Sequence, residues 1–310
     1  MMRTIVVAGL LLSAIASAAA QTTLRVGDQK GNSQAVMEAA GVLKDVPYKI
    51  EWKEFPAAAP LLEALGAGAI ETGLVGDAPF TFAAAANVPI KAIAAIRQSR
   101  DGLAVLVPSE SRIQSFEDLK GKKIATGRGS IGHQLILAAL ESKGWSPNDV
   151  QIVFLAPSDA KIALVAGSID AWAVWEPYVS YATLKDNARV VANGEGLTPT
   201  VTFIVASDSA IVTKRAAVQD LVQRLNKARL WSLDHLGEYA KNTAELTKLP
   251  EDVLLSAYTA QRTSPIAIDE TIVREVQEAS DRATRYGILS KKLDVSKAVD
   301  RSFTAAANSN

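Results

Sequence analysis

The strongest constraint on the fold is a glycine-rich segment, residues 122–140, in which a short strand leads through a tight loop into a helix. The glycines of this loop are Gly127, Gly129 and Gly132. Ser130 is a good N-cap for the helix, whose first N–H groups have no partner of their own and carry the positive end of the helix dipole. The segment therefore predicts an anion site that needs no cationic side chain, although an ordinary strand-to-helix turn has the same pattern.

The rest of the chain repeats this arrangement. Strands alternate with helices along residues 24–206, which predicts a largely parallel sheet covered by helices on both faces. When the first half is placed over the second with a shift of 99 residues, positions of similar character coincide. The coincident pairs are Val26 with Ala125, Gly68 with Gly167, Asp77 with Glu176, and Val105 with Ile204. We therefore expect two similar lobes whose loops, at the carboxyl ends of the strands, face each other across a cleft.

Composition narrows what such a fold can do. A chain of 310 residues is long enough for two domains. Its formal net charge of zero argues against a nucleic-acid groove or a polybasic membrane surface. The sequence contains no cysteine, which excludes a thiol nucleophile, a thiolate zinc site, a disulfide and a lipid-modified cysteine. It also lacks HExxH, GxSxG and P-loop motifs, so little catalytic machinery is visible.

The N-terminus has the pattern of a secretory signal peptide, residues 1–20. Met1–Arg3 form a short positive region, residues 5–16 are apolar, and Ala18–Ala20 supply a small-residue cleavage site before Gln21. The segment is too short for a stable membrane span, although an uncleaved anchor is the alternative interpretation. Together with the lack of cysteine, it predicts an exported, soluble protein of a bacterial periplasm.

Eight short motifs, in the order in which they occur, resemble those of the periplasmic substrate-binding proteins of ABC importers. They are Gly27–Gly31 (GDQKG), Glu51–Pro56 (EWKEFP), Pro60–Gly68 (PLLEALGAG), Gly76–Pro79 (GDAP), Asp118–Ala125 (DLKGKKIA), Gly129–His133 (GSIGH), Asp170–Pro177 (DAWAVWEP) and Asn193–Leu197 (NGEGL). The resemblance covers most of the chain, from Leu24 to Leu197. It is to the aliphatic-sulfonate, taurine and nitrate branch of that family, and the alkanesulfonate binders look most similar.

The resemblance implies an α/β fold of the type II periplasmic-binding-protein class, a two-lobed clamshell in which the chain crosses between the lobes twice. The crossings are expected near 105–109 and 202–207. The first lobe would hold residues 21–105 and 206–310, and the second 106–205. The protein would be a monomer that captures an organosulfonate for sulfur uptake and delivers it to an ABC permease and ATPase complex.

The same motifs assign ligand-binding residues to the cleft. Gln29 is expected to donate an amide N–H to an anionic oxygen. Gly129, Ser130 and Ile131 are expected to offer backbone N–H groups and the Ser130 hydroxyl to the anion. These neutral donors suit a sulfonate because it is fully ionised and only accepts hydrogen bonds. The first lobe adds two further residues from its GDAP motif, Gly76 and Ala78.

His133 lies in the first turn of the helix that follows the glycine-rich loop. A lone histidine is more often a structural residue than a ligand, but its place in the GSIGH motif favours a position in the cleft. The helix dipole disfavours positive charge at this end. We therefore expect a neutral hydrogen-bond donor rather than a general acid, and an affinity that does not change between about pH 6 and 8.

Two acids and three large side chains complete the predicted site. Asp77 and Glu176 each follow a strand and precede a proline, so either one caps the next helix or holds an amine or hydroxyl on the tail of the ligand. Trp175 either walls the cleft or packs in the core, whereas Trp172 should face the opposite way, into the core. Arg128 departs from the family pattern, and it either attracts the anion or projects into solvent.

Several alternatives stay open at this point. The ligand is a linear or aromatic sulfonate, taurine, a sulfate ester, nitrate or bicarbonate. A sensor module with the same fold is a rival function that the sequence does not separate from an importer component. An enzyme that uses Asp77 and Glu176 as acid and base is the rival from another class. No metal, cofactor or nucleic acid is implied.

Overall fold

A computed structural model describes residues 21–303 of the protein. The predicted signal peptide, residues 1–20, and the C-terminal tail lie outside the described residues. The strands are β1 (Thr23–Gln29), β2 (Lys49–Phe55), β3 (Thr72–Gly76), β4 (Ile90–Arg97), β5 (Leu103–Pro108), β6 (Lys123–Thr126), β7 (Gln151–Phe154), β8 (Ala171–Trp175), β9 (Ala188–Asn193), β10 (Val201–Ser207) and β11 (Ser264–Ile266). The α-helices are α1 (Ser33–Ala39), α2 (Ala58–Gly66), α3 (Asp77–Ala85), α4 (Ile131–Ser142), α5 (Pro157–Val165), α6 (Tyr178–Lys185), α7 (Asp208–Thr213), α8 (Arg215–Asp234), α9 (Leu236–Thr247), α10 (Glu251–Gln261) and α11 (Glu270–Arg285).

The strands form two separate sheets, and each has helices on both of its faces. The first sheet has the order β11-β4-β10-β3-β1-β2 and the second has the order β7-β6-β8-β5-β9. In the first lobe, α1, α8, α9 and α10 pack on one face and α2, α3 and α11 on the other. In the second lobe, α4 covers one face, and α5 and α6 cover the other. The alternation of strands and helices in the sequence correctly predicted this α/β architecture with two sheets.

The two sheets follow one plan. β10 runs antiparallel between β3 and β4, with Thr202 opposite Gly76. β5 runs antiparallel between β8 and β9, with Leu103 opposite Trp175, so both partners are shifted by 99 residues. The regular pairing of β5 with β9 is interrupted after Val105, and that of β10 with β4 is interrupted at the equivalent place. These registers confirm the internal repeat predicted from the sequence.

The shift is one residue smaller at the start of each lobe. Glu71 accepts a hydrogen bond from the backbone N–H of Arg25, and Asp170 accepts one from the backbone N–H of Lys123. The two acids are 99 residues apart, but their backbone partners are 98 apart. The superposition of Val26 on Ala125 is therefore wrong by one residue, because β6 begins one residue early relative to β1.

The chain passes between the sheets earlier than the sequence suggested. β4 belongs to the first sheet and β5 to the second, so the first passage is residues 98–102. The return passage, between β9 and β10, is residues 194–200. The expected boundaries after 105 and 205 therefore fall inside β5 and β10. β5 is a continuous apolar run, and β10 is apolar apart from Thr202 and Ser207. Both strands are buried almost throughout, so their own sequences contain no sign of a boundary.

The C-terminal third of the chain wraps the first lobe. Helices α8, α9 and α10 contribute most of the apolar residues that pack on one face of the first sheet. A short strand, β11, pairs antiparallel with β4 and was not predicted from the sequence. Within residues 21–303, no helix combines the length and the apolar character that a membrane crossing requires.

Candidate functional site

Loops of the two lobes meet at the ends of strands β3 and β6. A Cβ atom built on Gly76, in the first lobe, would lie 2.9 Å from the Cγ2 atom of Ile131, in the second. Gly129 faces the first lobe in the same way, since its Cβ would lie 3.2 Å from the ring of Phe82. The structure therefore brings the GDAP and GSIGH segments together across the boundary between the lobes.

The glycine-rich loop is held by its own side chains. The Ser130 hydroxyl caps α4 by accepting a hydrogen bond from the backbone N–H of His133 at 3.2 Å, and it lies 3.3 Å from the hydroxyl of Thr126. Gly129 has a φ of +68°, in the left-handed region that favours glycine. Gly132 allows a close approach, because a Cβ there would lie 2.5 Å from the carbonyl oxygen of Ala173. The predicted cap and turn are confirmed. Two of the backbone N–H groups that were expected to face the anion are already used within the loop, because Gly129 donates to Nδ1 of His133 and Ser130 donates to the carbonyl oxygen of Gly127.

His133 is a buried, neutral ring. The residue is only 1% exposed, and its Nδ1 atom accepts a hydrogen bond from the backbone N–H of Gly129 at 3.2 Å. Burial, together with the nearby charge of Arg128, lowers the pKa of His133 to about 4. The neutral ring therefore carries its proton on Nε2, which is buried and has no hydrogen-bond partner within residues 21–303. A free donor of this kind suits an anionic ligand.

The Arg128 side chain packs on the second lobe instead of projecting freely into solvent. Its guanidinium lies over the ring of Phe154, 3.8 Å from the ring centroid. The same ring packs edge-on against His133, with centroids 5.0 Å apart. The residue that departed from the family pattern is thus stacked on the second lobe beside the loop, where its charge helps to keep His133 neutral.

Asp77 reaches across the lobes instead of capping its helix. The residue is fully buried at the first position of α3, and within residues 21–303 no side-chain hydrogen bond caps that helix. Its Oδ2 atom accepts a hydrogen bond from the amide of Gln134, on α4, at 3.2 Å. Burial raises the pKa of Asp77 to about 6. Its Oδ1 atom and the Oε1 atom of Gln134 are buried without partners within residues 21–303. Neighbouring Ala78 is also buried.

Glu176, the equivalent acid of the second lobe, does cap its helix. It accepts hydrogen bonds from the backbone N–H and the hydroxyl of Ser180, both at 2.9 Å. Burial raises the pKa of Glu176 to about 7. Its backbone N–H donates to the carbonyl oxygen of Gly102, in the first passage between the lobes. Glu176 thus lies beside the hinge, and its carboxylate already has two donors.

The tryptophans divide as the pattern predicted. Trp172 is 1% exposed and lies in the apolar core between the second sheet and helices α5 and α6. Trp175 ends β8, is half-buried, and packs edge-on against Tyr178 with ring centroids 6.2 Å apart. Its place at the end of the strand keeps the role of cleft wall open for this side chain.

The Gln29 loop is held in place by contacts with helices that nothing in the sequence linked to the site. Gln29 ends β1, and its amide donates weakly to the carbonyl oxygen of Leu74 at 3.5 Å. Asp28, before it, accepts from the first two backbone N–H groups of α1 at 3.0 and 2.9 Å. Burial raises the pKa of Asp28 to about 6, against the opposing effects of those hydrogen bonds and of Arg229.

Three C-terminal side chains complete this support. Arg229, on α8, is 4% exposed and donates to the side chain of Asn32. Tyr239 and Tyr258 stack with ring centroids 3.8 Å apart, and both hydroxyls donate to the carbonyl oxygen of Gly31, at 3.3 and 3.2 Å. Arg229 itself could have indicated this support from the sequence, because a charged residue four positions after Leu225 falls on the buried stripe of α8.

The described part of the chain offers little to a metal ion. Within residues 21–303, no group of three or more histidine, aspartate or glutamate side chains is arranged to hold one. The chemistry available at the cleft is therefore that of hydrogen-bond donors and two buried carboxyl groups.

Comparisons with known proteins agree with this geometry. The family model described as NMT1/THI5 like matches residues 49–236. The alkanesulfonate-binding protein SsuA from Xanthomonas axonopodis pv. citri, solved bound to MOPS, is 33% identical, with a TM-score of 0.85 over 91% of this chain and 99% of that one. The periplasmic aliphatic sulphonate binding protein SsuA from Escherichia coli is 30% identical, with a TM-score of 0.82 over 90% of this chain and 92% of that one.

A more distant neighbour shares the fold alone. The desulfurization enzyme DSZB matches 93% of this chain and 99% of its own with a TM-score of 0.66, at only 14% identity. The two-lobed architecture is therefore used by binding proteins and by at least one enzyme, so the choice between them depends on the residues of the cleft.

Proposed function

The chain belongs to the NMT1/THI5-like family and to its group of sulfonate-binding proteins, and from this premise we propose that it captures an organosulfonate between its two lobes. The observation that carries the proposal is the start of α4, where the Ser130 hydroxyl and the neutral ring of His133 flank Ile131, the residue that meets Gly76 of the first lobe. Gly76 approaches this boundary from the first lobe, and we propose that Gln29 and Ala78 complete the site from the same side.

The charge balance of these groups fits a sulfonate. A sulfonate accepts hydrogen bonds through three oxygens and never takes up a proton near neutral pH, so it needs donors that stay donors. A helix N-terminus, a hydroxyl and a neutral imidazole N–H all meet that requirement. A lysine side chain in the site is unnecessary, because the helix dipole already favours negative charge at this position.

The two buried acids support binding rather than turnover. Catalysis by an acid and a base requires groups free to exchange protons with a substrate. Glu176 is occupied by two donors from Ser180, and Asp77 is tied to Gln134 on the other lobe. The chain also contains no cysteine, so thiol chemistry is closed to it. A non-enzymatic role is therefore the proposal.

Delivery to a membrane transporter completes the proposed function. The relatives named above are binding proteins, and one is described as periplasmic. With residues 1–20 removed as a signal peptide, the mature protein would work in the periplasm as a monomer and pass its ligand to an ABC permease and ATPase. Taurine, a sulfate ester, nitrate and bicarbonate remain the alternative ligands.

The decisive test is the thermal midpoint of the mature protein, from Gln21 onward, with a panel of anions. At 100 times its dissociation constant a true ligand stabilises the fold by about 2.7 kcal/mol, which for a chain of this size raises the midpoint on the order of 5 °C. Alkanesulfonates of increasing length are compared with carboxylates of the same length, and with taurine, sulfate, nitrate and bicarbonate. A shift with sulfonates but not with matched carboxylates supports the proposal. A shift only with nitrate or bicarbonate would replace it.

A further inference from the structure

We propose that an ion-pair cluster at the far end of α4, formed by Glu141 with Arg282 and Arg285, is a latch that holds the two lobes closed. α4 belongs to the second lobe and begins at the anion site. The two arginines are on α11, whose buried residues pack on the first sheet. The proposal deepens the proposed function, since closure would retain the ligand, but the latch itself is tested without any ligand.

The contacts of the latch are direct and cross from lobe to lobe. Arg282 Nε and Glu141 Oε2 are 2.5 Å apart, and Arg285 Nη2 and Glu141 Oε1 are also 2.5 Å apart. The hydroxyl of Tyr286, just after α11, donates to the carbonyl oxygen of Trp145 in the second lobe at 3.4 Å. Each carboxylate oxygen of Glu141 thus has its own guanidinium partner, and both hydrogen bonds are charge-assisted, which makes them stronger than bonds between neutral groups.

The position of Glu141 in its own helix points to a role between the lobes. It lies in the last turn of α4, where the negative end of the helix dipole disfavours a carboxylate. Burial alone would raise the pKa of Glu141, but the hydrogen bonds and charges of Arg282 and Arg285 outweigh it and leave the pKa below its ordinary value. The acid therefore gains nothing from α4 and depends on the partners that α11 supplies.

One rigid helix connects the latch to the site. α4 has 12 residues, so its ends are about 18 Å apart at 1.5 Å per residue. Near its start, Gln134 donates to Asp77 of the first lobe. Near its end, Glu141 holds the two arginines. Because a helix moves as a unit, releasing the latch should also move the Ser130 loop away from the first lobe.

The lobes also meet between α6 and α10, where the hydroxyl of Ser180 donates to that of Ser256 at 3.0 Å, but the ion pair at this contact is weaker. Lys185 on α6 pairs with Asp252 on α10, but the Asp252 side chain is 60% exposed. Exposed pairs of this kind contribute little. Glu141 is less exposed and is shared by two arginines, one of them only 17% exposed. We therefore assign control of closure to the α4 and α11 side.

The experiment measures the distance between the lobes in the absence of ligand. The chain has no cysteine, so Val212→Cys in the first lobe and Ile162→Cys in the second, 80% and 67% exposed, give two unique sites for spin labels. Glu141→Gln is compared with Glu117→Gln in this background. Glu117 pairs with Lys143 at the same end of α4, but both residues lie in the second lobe.

The latch predicts that Glu141→Gln widens the distance distribution or shifts it to longer distances, whereas Glu117→Gln leaves it unchanged. Reversing the cluster, with Glu141→Arg, Arg282→Glu and Arg285→Glu together, should restore the short distance. For a sulfonate that binds the parent protein, Glu141→Gln should weaken the affinity about tenfold, as a 1.4 kcal/mol loss of closure would.

An unchanged distance in Glu141→Gln, in a protein that melts like its parent, overturns the latch. So does an equal change in both single variants, because that would reflect the end of α4 rather than the contact between lobes. If no sulfonate binds the parent protein, the proposed function fails, and the distances still decide the latch.

Discussion

The loops that follow β1 and β6 occupy equivalent places in the two lobes, yet they are held in different ways. The second-lobe loop, residues 127–130, is fixed by Thr126, Ser130 and His133, all within a few positions of it in the sequence. The first-lobe loop, residues 28–32, has a local contact from Asp28 to the start of α1. Its other support comes from side chains of α8, α9 and α10, about 200 positions away. One site is built locally and the other by tertiary packing.

This difference decides how damage reaches the cleft. A locally built loop depends on its own cap and turn, so it should survive changes elsewhere in its lobe. The first-lobe loop depends on three C-terminal helices that pack on the same face of the sheet. A substitution there should disturb Gln29 without touching any ligand. Substitutions that test this difference between the loops can therefore be ordered by the size of the effect expected from each.

The largest effect is expected from Arg229→Met. This change removes a buried charge beside Asp28 and leaves the side chain of Asn32 without its donor. The free energy of unfolding should fall by about 3 kcal/mol, as when a buried hydrogen bond from a charged group is lost. Urea denaturation measures it, with Lys227→Met, an exposed position on the same helix, as the control. Equal losses in both variants would contradict the special role of Arg229.

The next largest effect on stability is expected from the equivalent acids of the two lobes, Asp77 and Glu176. The pKa of Asp77, about 6, lies above its unfolded value near 3.8, so the folded state binds more protons and loses stability as pH rises from about 4 to 6. Asp77→Asn removes this cost and can also donate to Oε1 of Gln134. We expect it to stabilise the protein by about 2.7 kcal/mol at pH 7.5, from a shift of roughly two pKa units.

The gain should disappear below about pH 4, where both states of the parent protein are protonated. Glu176→Gln is the matched comparison in the second lobe. Its pKa is also raised, to about 7, but its carboxylate accepts two hydrogen bonds from Ser180 that an amide cannot fully replace. Denaturation curves from about pH 3 to 8 measure both variants. A gain for Asp77→Asn that stays constant with pH would show that the carboxyl charge is not its source.

The same difference explains what could be predicted from the sequence. The fold class, the repeat, and the cap at Ser130 follow from periodicity and from residues close together in the chain. The support of the Gln29 loop does not, because Tyr258 and Gly31 meet only when the first sheet is assembled. Strand β11 escaped prediction for a related reason. It is three residues long, contains Pro265, and pairs with a distant strand.

A smaller loss of stability is expected from Ser130→Ala, because it removes a local cap. Losing an N-cap hydroxyl costs about 1 kcal/mol of stability, and only the second lobe should be destabilised. The proposed ligand loses one donor as well, so its dissociation constant should rise about tenfold. Ser146→Ala removes the cap of a short 3₁₀ helix elsewhere in the same lobe and should leave ligand affinity unchanged. Calorimetric titration with a sulfonate that binds compares the two. Equal affinities would remove Ser130 from the site.

The smallest effect is expected from Tyr258→Phe, since Tyr239 still donates to the carbonyl oxygen of Gly31. The loss should be about 0.5 kcal/mol, at the low end for a hydrogen bond. Removing both hydroxyls leaves that buried carbonyl without a side-chain donor, so the double variant should lose more than the sum of the single ones. A double-mutant cycle by urea denaturation measures the excess. Strict additivity would mean that the tyrosines hold the loop by packing alone, and that the first-lobe loop depends on Arg229 for its polar support.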